Sequence, residues 1–525
     1  MAEFQIVDGV LKKYNGSGGA VVIPNTVRVI GESAFEDCVS ITSVTIPKTV
    51  TEIEGRAFLG CQALKSLSIP DSVTSLGDSI FYNCYALESV KLPEGIREIP
   101  YGMFTRCTRL FSIKLPDTVE TIERFAFQWC SKLKTVAFPS SLKRILSFAF
   151  SGCSIFTSVT LPASVKEVDT YAFEGCKNVT KVVVDSSECL IAENAFQGCE
   201  RVNAAKIPIS ALASFPQTNL RELTLCGSGT VPQKAFYDNG ALTSVVIDGP
   251  EQIGEEAFTY CSALSSVTLS PSVKTIGKLA FWRCKRLSSV TLSDTLETIG
   301  MEAFGDCEAL AEISLPDSIT LLDKWAFAGC SALRAVTLPP LVTTITQGLF
   351  KHCTALTAMD IPESITVIGE AAFQGCKALT SVFIPETVAA IEKYAFADCE
   401  SLEKINLPGG LTQISFGLFQ RCKKLLPLEI PKGVTKIDGA AFEACPFTAV
   451  VIPAAVKMIS CTSFGDCKML AEVTFEEQSG WYIGSHFSSR RVPLNMSDPA
   501  LNALTLLDAG TSEVDTFYYC SLCRV

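Results

Sequence analysis

Apolar positions in this chain do not recur at every second residue, or at about every 3.6 residues, over long stretches. They recur instead as one block of 23 residues, which from Ile23 reads I-P-N-T-V-R-V-I-G-E-S-A-F-E-D-C-V-S-I-T-S-V-T. The shared pattern is I-P-x-x-V-x-x-I-x-x-x-A-F-x-x-C-x-x-L-x-x-V-x. A period of this length predicts a coil that turns once per block and keeps its apolar side chains inside.

The phenylalanine of the block fixes the register of 19 clear units. Successive copies lie 23 residues apart, except for one gap of 40 residues and two steps of 22 residues. The copies are Phe35, Phe58, Phe81, Phe104, Phe127, Phe150, Phe173, Phe196, Phe236, Phe258, Phe281, Phe304, Phe327, Phe350, Phe373, Phe396, Phe419, Phe442 and Phe464. The gap keeps I-P and L-x-x-L-x-L but lacks A-F-x-x-C, which predicts a shortened irregular turn at about residues 207–228.

Two segments of the block have the pattern of extended chain. In L-x-x-V-x-I-P, β-branched residues alternate with small polar ones, which predicts a strand that ends at the proline because proline lacks an amide donor. V-x-x-I-G predicts a second short extended piece, or a turn, on the opposite wall. Its glycine position is held by other residues in many units, so a positive φ is not required there.

One block cannot bury its own Phe, Leu, Val and Ile side chains, whereas stacked neighbours can cover each face. The predicted fold class is therefore a repeat solenoid of about 20 turns, rich in β-structure with short turns and 3-10 pieces, and with a parallel sheet on one face. We expect an N-terminal cap of the β-hairpin type at residues 1–22, the solenoid at residues 23–475, and a C-terminal capping element at residues 476–525.

Composition supports a folded core and argues against some partners. Hydrophobic residues make up 48% of the chain and charged residues 19%, and the net charge is −11. Without a basic face, nucleic-acid binding is not expected. The start, MAEFQIVDGVLKKY, has no signal-peptide pattern, and no apolar run is long enough to span a membrane. As written, the sequence predicts a monomeric, soluble, cytoplasmic chain.

Eighteen of the 23 cysteines occupy one position of the block. They are Cys38, Cys61, Cys84, Cys107, Cys130, Cys153, Cys176, Cys199, Cys261, Cys284, Cys307, Cys330, Cys353, Cys376, Cys399, Cys422, Cys445 and Cys467. Zinc sites need clustered ligands, and these residues lie 23 apart without accompanying histidines, so we predict no metal and no other cofactor. We expect a structural ladder of buried reduced thiols that bond the turn backbone, a role that Asn239 takes in one unit.

Little in the sequence suggests catalysis. The chain has two histidines, and no nucleophile elbow, phosphate-binding loop or metalloprotease motif is present. The terminal C-S-L-C is a weak signal that we interpret as two incidental thiols, Cys520 and Cys523. We expect no enzyme. The alternative is a hydrolase in the C-terminal element, around Trp481, His486 and Arg490.

The two slots between the Phe and the Cys of each block supply the candidate binding residues. They hold Tyr237, Tyr260 and Trp282 in three successive turns, with Arg283 beside the last. Tyr82 and Trp129 occupy the same edge in earlier turns. Exposed Tyr, Trp and Arg are enriched in the energetic centres of protein interfaces. The alternative is that these rings only lie flat over neighbouring turns or cover the shortened repeat.

The 23-residue unit, repeated over residues 23–475, resembles the BspA-like leucine-rich-repeat family. The opening from Phe4 to Pro24 resembles that family's N-terminal cap, and VTFEEQSGWYIGS from Val473, followed by SDPALNALTLL, resembles its C-terminal element. The resemblance implies a curved solenoid without a cofactor, with roles in adhesion and protein–protein recognition, at the cell surface or secreted. The sequence differs from the surface-bound and secreted members of the family, since we find neither a signal-peptide pattern nor an anchoring tail in it.

Two functions from different classes are therefore expected. The first is a non-enzymatic solenoid that presents a repeat surface to a protein partner, including a host or matrix protein. The second is a structural spacer, in which length and stiffness matter and no surface patch does.

Overall fold

The computed structural model describes residues 3–215, 219–485, 492–493, 496–508 and 520–524. It forms two compact units, Met1–Gly229 and Thr230–Val525, which we call the first and second units. Each unit is a stack of turns that follow the 23-residue period. Within a turn the chain passes through a strand of the front sheet, a strand of the back sheet, and the A-F-x-x-C segment, which we call the turn edge. The predicted solenoid is confirmed.

The front sheet is built from the L-x-x-V-x-I segments, which pair in parallel at a spacing of one repeat. In the first unit its strands are Gly19–Val22, Ile41–Thr45, Ser66–Ser68, Ser89–Lys91, Ser158–Leu161, Lys181–Val184, Ala204–Pro208 and Glu222–Cys226. In the second unit they are Ser244–Asp248, Ser266–Leu269, Ser289–Thr291, Ala358–Asp360, Ser381–Phe383, Lys404–Ile405, Ala449–Ile452 and Glu472–Phe475. The predicted strand forms here, although a few turns contribute only an isolated bridge, such as Lys114 with Ala137.

The back sheet is built from the V-x-x-I segments as parallel strands of two or three residues. In the first unit they are Val29–Ile30, Glu52–Ile53, Ser75–Leu76, Glu98–Ile99, Thr121–Ile122, Arg144–Ile145, Glu167–Val168 and Leu190–Ile191. In the second unit they are Thr230–Val231, Gln252–Ile253, Thr275–Ile276, Thr298–Ile299, Leu321–Leu322, Thr344–Ile345, Val367–Ile368, Ala390–Ile391, Gln413–Ile414, Lys436–Ile437 and Met458–Ser460. The V-x-x-I segment forms a short extended strand in every regular repeat. Of the two structures expected for it, the extended piece is therefore the one that occurs, and not a reversal of the chain.

Glycine in V-x-x-I-G is explained by close approach of the backbone. None of the glycines that follow this segment has a positive φ, as predicted. A Cβ atom on Gly77 would instead lie 2.4 Å from the nitrogen of Gly55 in the neighbouring turn, and one on Gly254 would lie 2.4 Å from the oxygen of Val231. In these turns a Cβ atom would require the neighbouring backbone to shift, whereas other turns accommodate a side chain at the same slot, as at Glu123.

Between the sheets, the repeated Phe rings form one ladder in each unit. In the first unit the ring centroids from Phe35 to Phe196 are 4.9–5.8 Å apart, with interplanar angles of 3–15°. In the second unit the centroids from Phe236 to Phe464 are 5.2–6.0 Å apart, at 1–21°. All of these rings are buried, so each Phe is covered by the turns on either side.

The turn edge is joined by backbone hydrogen bonds from one turn to the next. Around Phe35, alternate amides donate to the following turn: the Phe35 amide to the Ala57 oxygen and the Asp37 amide to the Leu59 oxygen, both at 2.8 Å. In nearly every turn the residues two before and two after the Phe have a positive φ, as Arg56 (57°) and Gly60 (70°) do. These left-handed residues could not be predicted from the sequence, because most of them are not glycine or asparagine.

Two structural features keep the shortened turn in the stack. A 3-10 helix, Ile209–Ser214, takes the place of the back-sheet strand. Phe215 brings its ring within 4.8 Å of Phe196 and so occupies the ladder position without an A-F-x-x-C motif. In the front sheet Ala204 pairs with Glu222, which lies only 18 residues later.

Non-repeat elements cover the outer turns. At the N-terminus, strands Phe4–Val7 and Val10–Tyr14 pair antiparallel, and the ring of Tyr14 lies 5.2 Å from that of Phe35. The C-terminal elements are strands Trp481–Ser485, Val492–Pro493 and Cys520–Arg524 and helix Pro499–Asp508. Strand Cys520–Arg524 pairs antiparallel with Met458–Ser460, and Asn502 donates to the Val473 oxygen at 2.9 Å. These contacts satisfy backbone groups that a terminal turn would otherwise expose. The predicted boundaries at residues 22 and 475 stay predictions.

The Phe ladder predicts that the substitution Phe→Ala affects the free energy of unfolding very differently at two positions. Phe304 is fully buried between Phe281 and Phe327, whereas Phe383 points outward from the front sheet and is 68% exposed. We expect Phe304→Ala to lower the free energy of unfolding by about 3–5 kcal/mol, because it leaves a cavity in the core. Phe383→Ala should change it by less than about 0.5 kcal/mol. Denaturant unfolding followed by circular dichroism measures both, and equal losses would contradict the ladder's role.

Candidate partner-binding site

The turn edge places side chains of successive turns side by side. The residue two after each Phe has a left-handed backbone, as in Tyr260 (φ 61°), Arg283 (57°) and Asp306 (55°). Its amide donates to the next turn, as Tyr260 does to the Trp282 oxygen at 2.9 Å. Because the backbone is fixed in this way at each repeat, the side chains at these slots occupy equivalent positions one turn apart.

Three aromatic rings in the second unit use this placement to contact one another. Tyr237 and Tyr260 have ring centroids 5.7 Å apart and an interplanar angle of 78°. Tyr260 and Trp282 are 5.1 Å apart at 66°. Both pairs are edge-to-face, the arrangement that the quadrupoles of aromatic rings favour. The three rings therefore form one connected group across three successive turns.

Arg283 completes this group and is held in place by Asp306. Its guanidinium carbon lies 4.4 Å from the Trp282 ring centroid and 5.7 Å from that of Tyr260. Its Nε donates to Asp306 Oδ2 at 3.1 Å. This hydrogen bond raises the pKa of Arg283 above its ordinary value, and the guanidinium, which is charged in any case, is held over the rings. We call Tyr237, Tyr260, Trp282 and Arg283 the aromatic–arginine cluster.

The cluster is partly covered and partly exposed. A Cβ atom on Gly305 would lie 2.9 Å from Cδ1 of Trp282, so the indole packs against the backbone of the next turn. Tyr237 is 46% exposed, Arg283 is exposed, and Tyr260 and Trp282 are half-buried. The rings thus contact neighbouring turns and also present surface to solvent.

The other two candidate residues lie in the first unit. Trp129 is 51% exposed and packs over Gly152, where a Cβ atom would lie 2.7 Å from the indole Cε3. Tyr82 is half-buried, and its backbone oxygen accepts a hydrogen bond from the Gly60 amide at 2.8 Å. The contacts that join the four cluster residues are therefore confined to the second unit.

A second aromatic group, which the sequence analysis missed, lies in the first unit. Phe125, Phe148 and Tyr171 each stand two residues before the ladder Phe, and Tyr101 stands three before it. Their ring centroids are separated by 5.4 Å (Tyr101–Phe125), 5.2 Å (Phe125–Phe148) and 4.9 Å (Phe148–Tyr171). We call these four residues the outer aromatic file. The signal was present in the sequence as F-A-F, F-A-F and Y-A-F in successive repeats.

The array thiols are buried and bond the preceding turn. From Cys61 onward, each Sγ donates to the carbonyl oxygen of the ladder Phe one turn earlier at 3.0–3.3 Å. Burial raises the pKa of the Cys330 thiol to about 12 and that of the Cys376 thiol likewise to about 12. Cys38, in the first regular turn, is half-buried. Asn239 acts within its own turn instead, where Oδ1 accepts from the amides of Ala241 and Leu242 at 3.0 Å.

Of the predicted alternative site in the C-terminal element, the structure describes only Trp481. Trp481 is buried, and its Nε1 donates to the Glu477 oxygen at 2.8 Å, which gives the ring a packing role. His486 and Arg490 lie outside the described residues. Among the described residues, no group of three or more His, Cys, Asp or Glu side chains is arranged to hold a metal ion.

The fold and the turn edge together define a leucine-rich-repeat solenoid. The family model of the BspA type leucine rich repeat region matches residues 14–134, 98–221, 229–357 and 343–471. The chain therefore belongs to the BspA-type leucine-rich-repeat family, whose repeats are typically protein-binding. No helix within the described ranges has the length and apolar character that crossing a bilayer requires.

Solved structures include similar chains. A leucine rich cell surface protein from Faecalibacterium prausnitzii is 24% identical, with 75% of this chain and 89% of that chain covered and a TM-score of 0.31. A leucine-rich repeat protein from Bacteroides ovatus is also 24% identical, with 81% and 90% covered and a TM-score of 0.31. The T. pallidum leucine rich repeat protein is 27% identical over 35% of this chain and 78% of its own, with a TM-score of 0.26. The comparison with curated proteins found no match.

The thiol ladder predicts a loss of stability in alkali. Burial in the folded state raises the pKa of ladder thiols such as Cys84, Cys330 and Cys376 to about 12. The folded chain therefore keeps protons on these thiols that the unfolded chain releases above about pH 8.5. The contribution of these thiols to the free energy of unfolding is therefore fully present below that pH, and it is lost as the pH rises toward the folded-state pKa values. We expect the urea midpoint to be lower at about pH 10.5 than at neutral pH.

The double variant Cys330→Val/Cys353→Val is the control for this prediction. It removes two titrating groups, so its midpoint should fall less over the same pH range than that of the wild type. An equal pH dependence of the two proteins would show that lysine or tyrosine titration, and not the thiols, governs the alkaline loss.

Proposed function

We propose that the chain is a non-enzymatic recognition protein that binds a protein partner through the aromatic–arginine cluster. The observation that carries the proposal is the contact of Tyr237, Tyr260, Trp282 and Arg283 on three successive turns, with surface left open to solvent. Tyr, Trp and Arg are the residue types most enriched in interface hot spots. Adhesion to a host or matrix protein is the form of this function that the family resemblance implies.

Rigidity of the cluster favours binding because little side-chain freedom remains to be lost. The rings pack edge-to-face, and the guanidinium of Arg283 is fixed both by the Trp282 ring and by Asp306. Each rotamer-rich side chain that a partner must immobilise costs about 0.5–1.5 kcal/mol of affinity. A cluster that is already ordered in the free protein avoids much of that cost.

The surrounding charges indicate that local shape, and not long-range attraction, selects the partner. Lysines next to the cluster are paired within the chain: Lys278 with Glu255 at 2.9 Å and Lys285 with Glu308 at 2.8 Å. Paired charges of opposite sign produce little net field beyond their own neighbourhood. We therefore expect association with a modest dependence on salt concentration.

Proximity labelling and pull-down with the full chain test the proposal. The variant Tyr260→Ser/Trp282→Ser should reduce recovery of the partner by at least about tenfold, because it removes two neighbouring hot-spot side chains. The control is Trp129→Ser, which changes an exposed aromatic residue of the turn edge in the first unit. Circular dichroism shows whether each variant is folded.

The outcomes separate the proposal from the spacer alternative. Loss of one partner in the cluster variant, with normal recovery in the control, supports binding through the cluster. Equal recovery of every partner by all three proteins contradicts it. A spacer would instead lose its effect when a whole turn outside the cluster is removed, and would be unaffected by the cluster variant.

Fractionation of the source cells with an antibody then directs the search for partners. Protein on the surface or in the medium supports the adhesion form of the proposal, and host or matrix proteins become the candidates. Protein confined to the cytosol contradicts that form and leaves an intracellular scaffold.

A further inference from the structure

The outer aromatic file is an apolar ribbon that runs across four successive turns of the first unit. Tyr101 is 45% exposed, and Phe125, Phe148 and Tyr171 are half-buried. Phe125, Phe148 and Tyr171 stack nearly parallel, with interplanar angles of 8° and 16°. Stacking covers the faces of these rings with one another and leaves part of each ring in contact with water.

The fold does not require aromatic residues at these positions. The residue two before the ladder Phe has a left-handed backbone in Phe125 and Phe148, both with φ 60°. Ser33 and Ser79 occupy the same position in earlier turns of the same unit, with φ 56° and 55°. Since serine supports the same turn, and bulky side chains tolerate a positive φ poorly, the aromatic residues add something that the turn itself does not need.

The spacing of the rings matches the pitch of an α-helix. Adjacent ring centroids along the file are 4.9–5.4 Å apart. An α-helix that lies along the file advances about 5.4 Å per turn. Over the length of the file, its side chains are therefore displaced from the rings by less than about 1 Å. In an extended strand, side chains on one face repeat at about 6.6 Å, so their displacement from the rings reaches about 4 Å over the same length. Only the helix keeps one apolar side chain beside each ring.

Carboxylates lie close in sequence to the rings of the file. Asp169 accepts hydrogen bonds from the Ser147 hydroxyl at 2.5 Å and from the Thr170 amide at 2.7 Å. Glu174 accepts from the Ser151 hydroxyl at 3.0 Å, and Glu123 precedes Phe125 by two residues. These hydrogen bonds fix two of the three carboxylates, which outnumber the neighbouring cation Arg124. An apolar seam bordered by carboxylates is complementary to a helix whose seam is bordered by lysine or arginine.

We propose that the outer aromatic file binds an amphipathic helix of a partner protein, with apolar residues at positions i, i+4, i+7 and i+11 flanked by basic residues. Each apolar residue contacts one of the four rings, in the manner of a helix that lies in a shallow groove. The surface is separate from the aromatic–arginine cluster, and the proposal does not depend on the function assigned to that cluster.

A peptide-display selection on the full chain tests this proposal. The probe is a library of random 16-residue peptides, which is counter-selected against the double variant Phe125→Ser/Phe148→Ser. Enriched peptides are sequenced, and their affinity is measured by fluorescence anisotropy against the wild type, the double variant and Tyr101→Ser. Tyr101 is at the exposed end of the file, so its substitution tests binding even if the double variant is poorly folded. Phe383→Ser, which changes an exposed aromatic ring of the front sheet in the second unit, is the matched control.

We expect enriched peptides with apolar residues at helical spacing, basic flanks and helical circular dichroism in the bound state. Their affinity should fall by about tenfold for Tyr101→Ser and further for the double variant, and should be unchanged for the control. Peptides with alternating or proline-rich patterns, peptides that bind Tyr101→Ser as tightly as the wild type, or no enrichment at all would overturn the proposal. Loss of binding by the control alone would place the peptide site outside the file and contradict the proposal.

Discussion

The structure depends on the inability of a single 23-residue turn to bury its own phenylalanine. Each ladder ring is covered by the rings of adjacent turns, at centroid distances of 4.9–6.0 Å over the regular repeats. Phe215 and Tyr14 bring rings to the ladder where the motif is missing. Because every turn needs a neighbour, the array extends until non-repeat elements cover its outer turns.

The same stacking accounts for the surfaces proposed to bind partners. Front and back sheets, glycine contacts and thiol-to-carbonyl hydrogen bonds fix the backbone of each turn, while the slots beside the ladder Phe tolerate many side chains. Variable side chains on a fixed, periodic backbone lie in register one turn apart. Contacts such as that of Arg283 with Tyr260 follow from this register, and so does the match between the outer aromatic file and a helix.

The fold was predictable from the sequence because its determinants repeat, and the site was predictable only in part. Nineteen copies of the Phe fixed the period, and the V-x-I alternation located the front sheet. The left-handed residues on either side of the Phe were missed because serine, arginine, aspartate and aromatic residues all occupy them. Tyr237, Tyr260 and Trp282 were found by residue type, but Asp306 as the partner of Arg283 required the turn-to-turn register. The outer aromatic file was missed because its slots vary between repeats.

Excision of one complete turn tests most directly the claim that neighbour coverage holds the stack together. Deletion of residues 305–327 joins Phe304 to Ala328 and restores the repeat register, whereas deletion of residues 305–316 removes about half a turn and breaks it. Hydrogen–deuterium exchange should show that the turns on both sides of the complete excision keep their protection, and that the half-turn excision exposes the adjacent turns. Similar protection in the two proteins would contradict the account, because the ladder would then not need its neighbours in register.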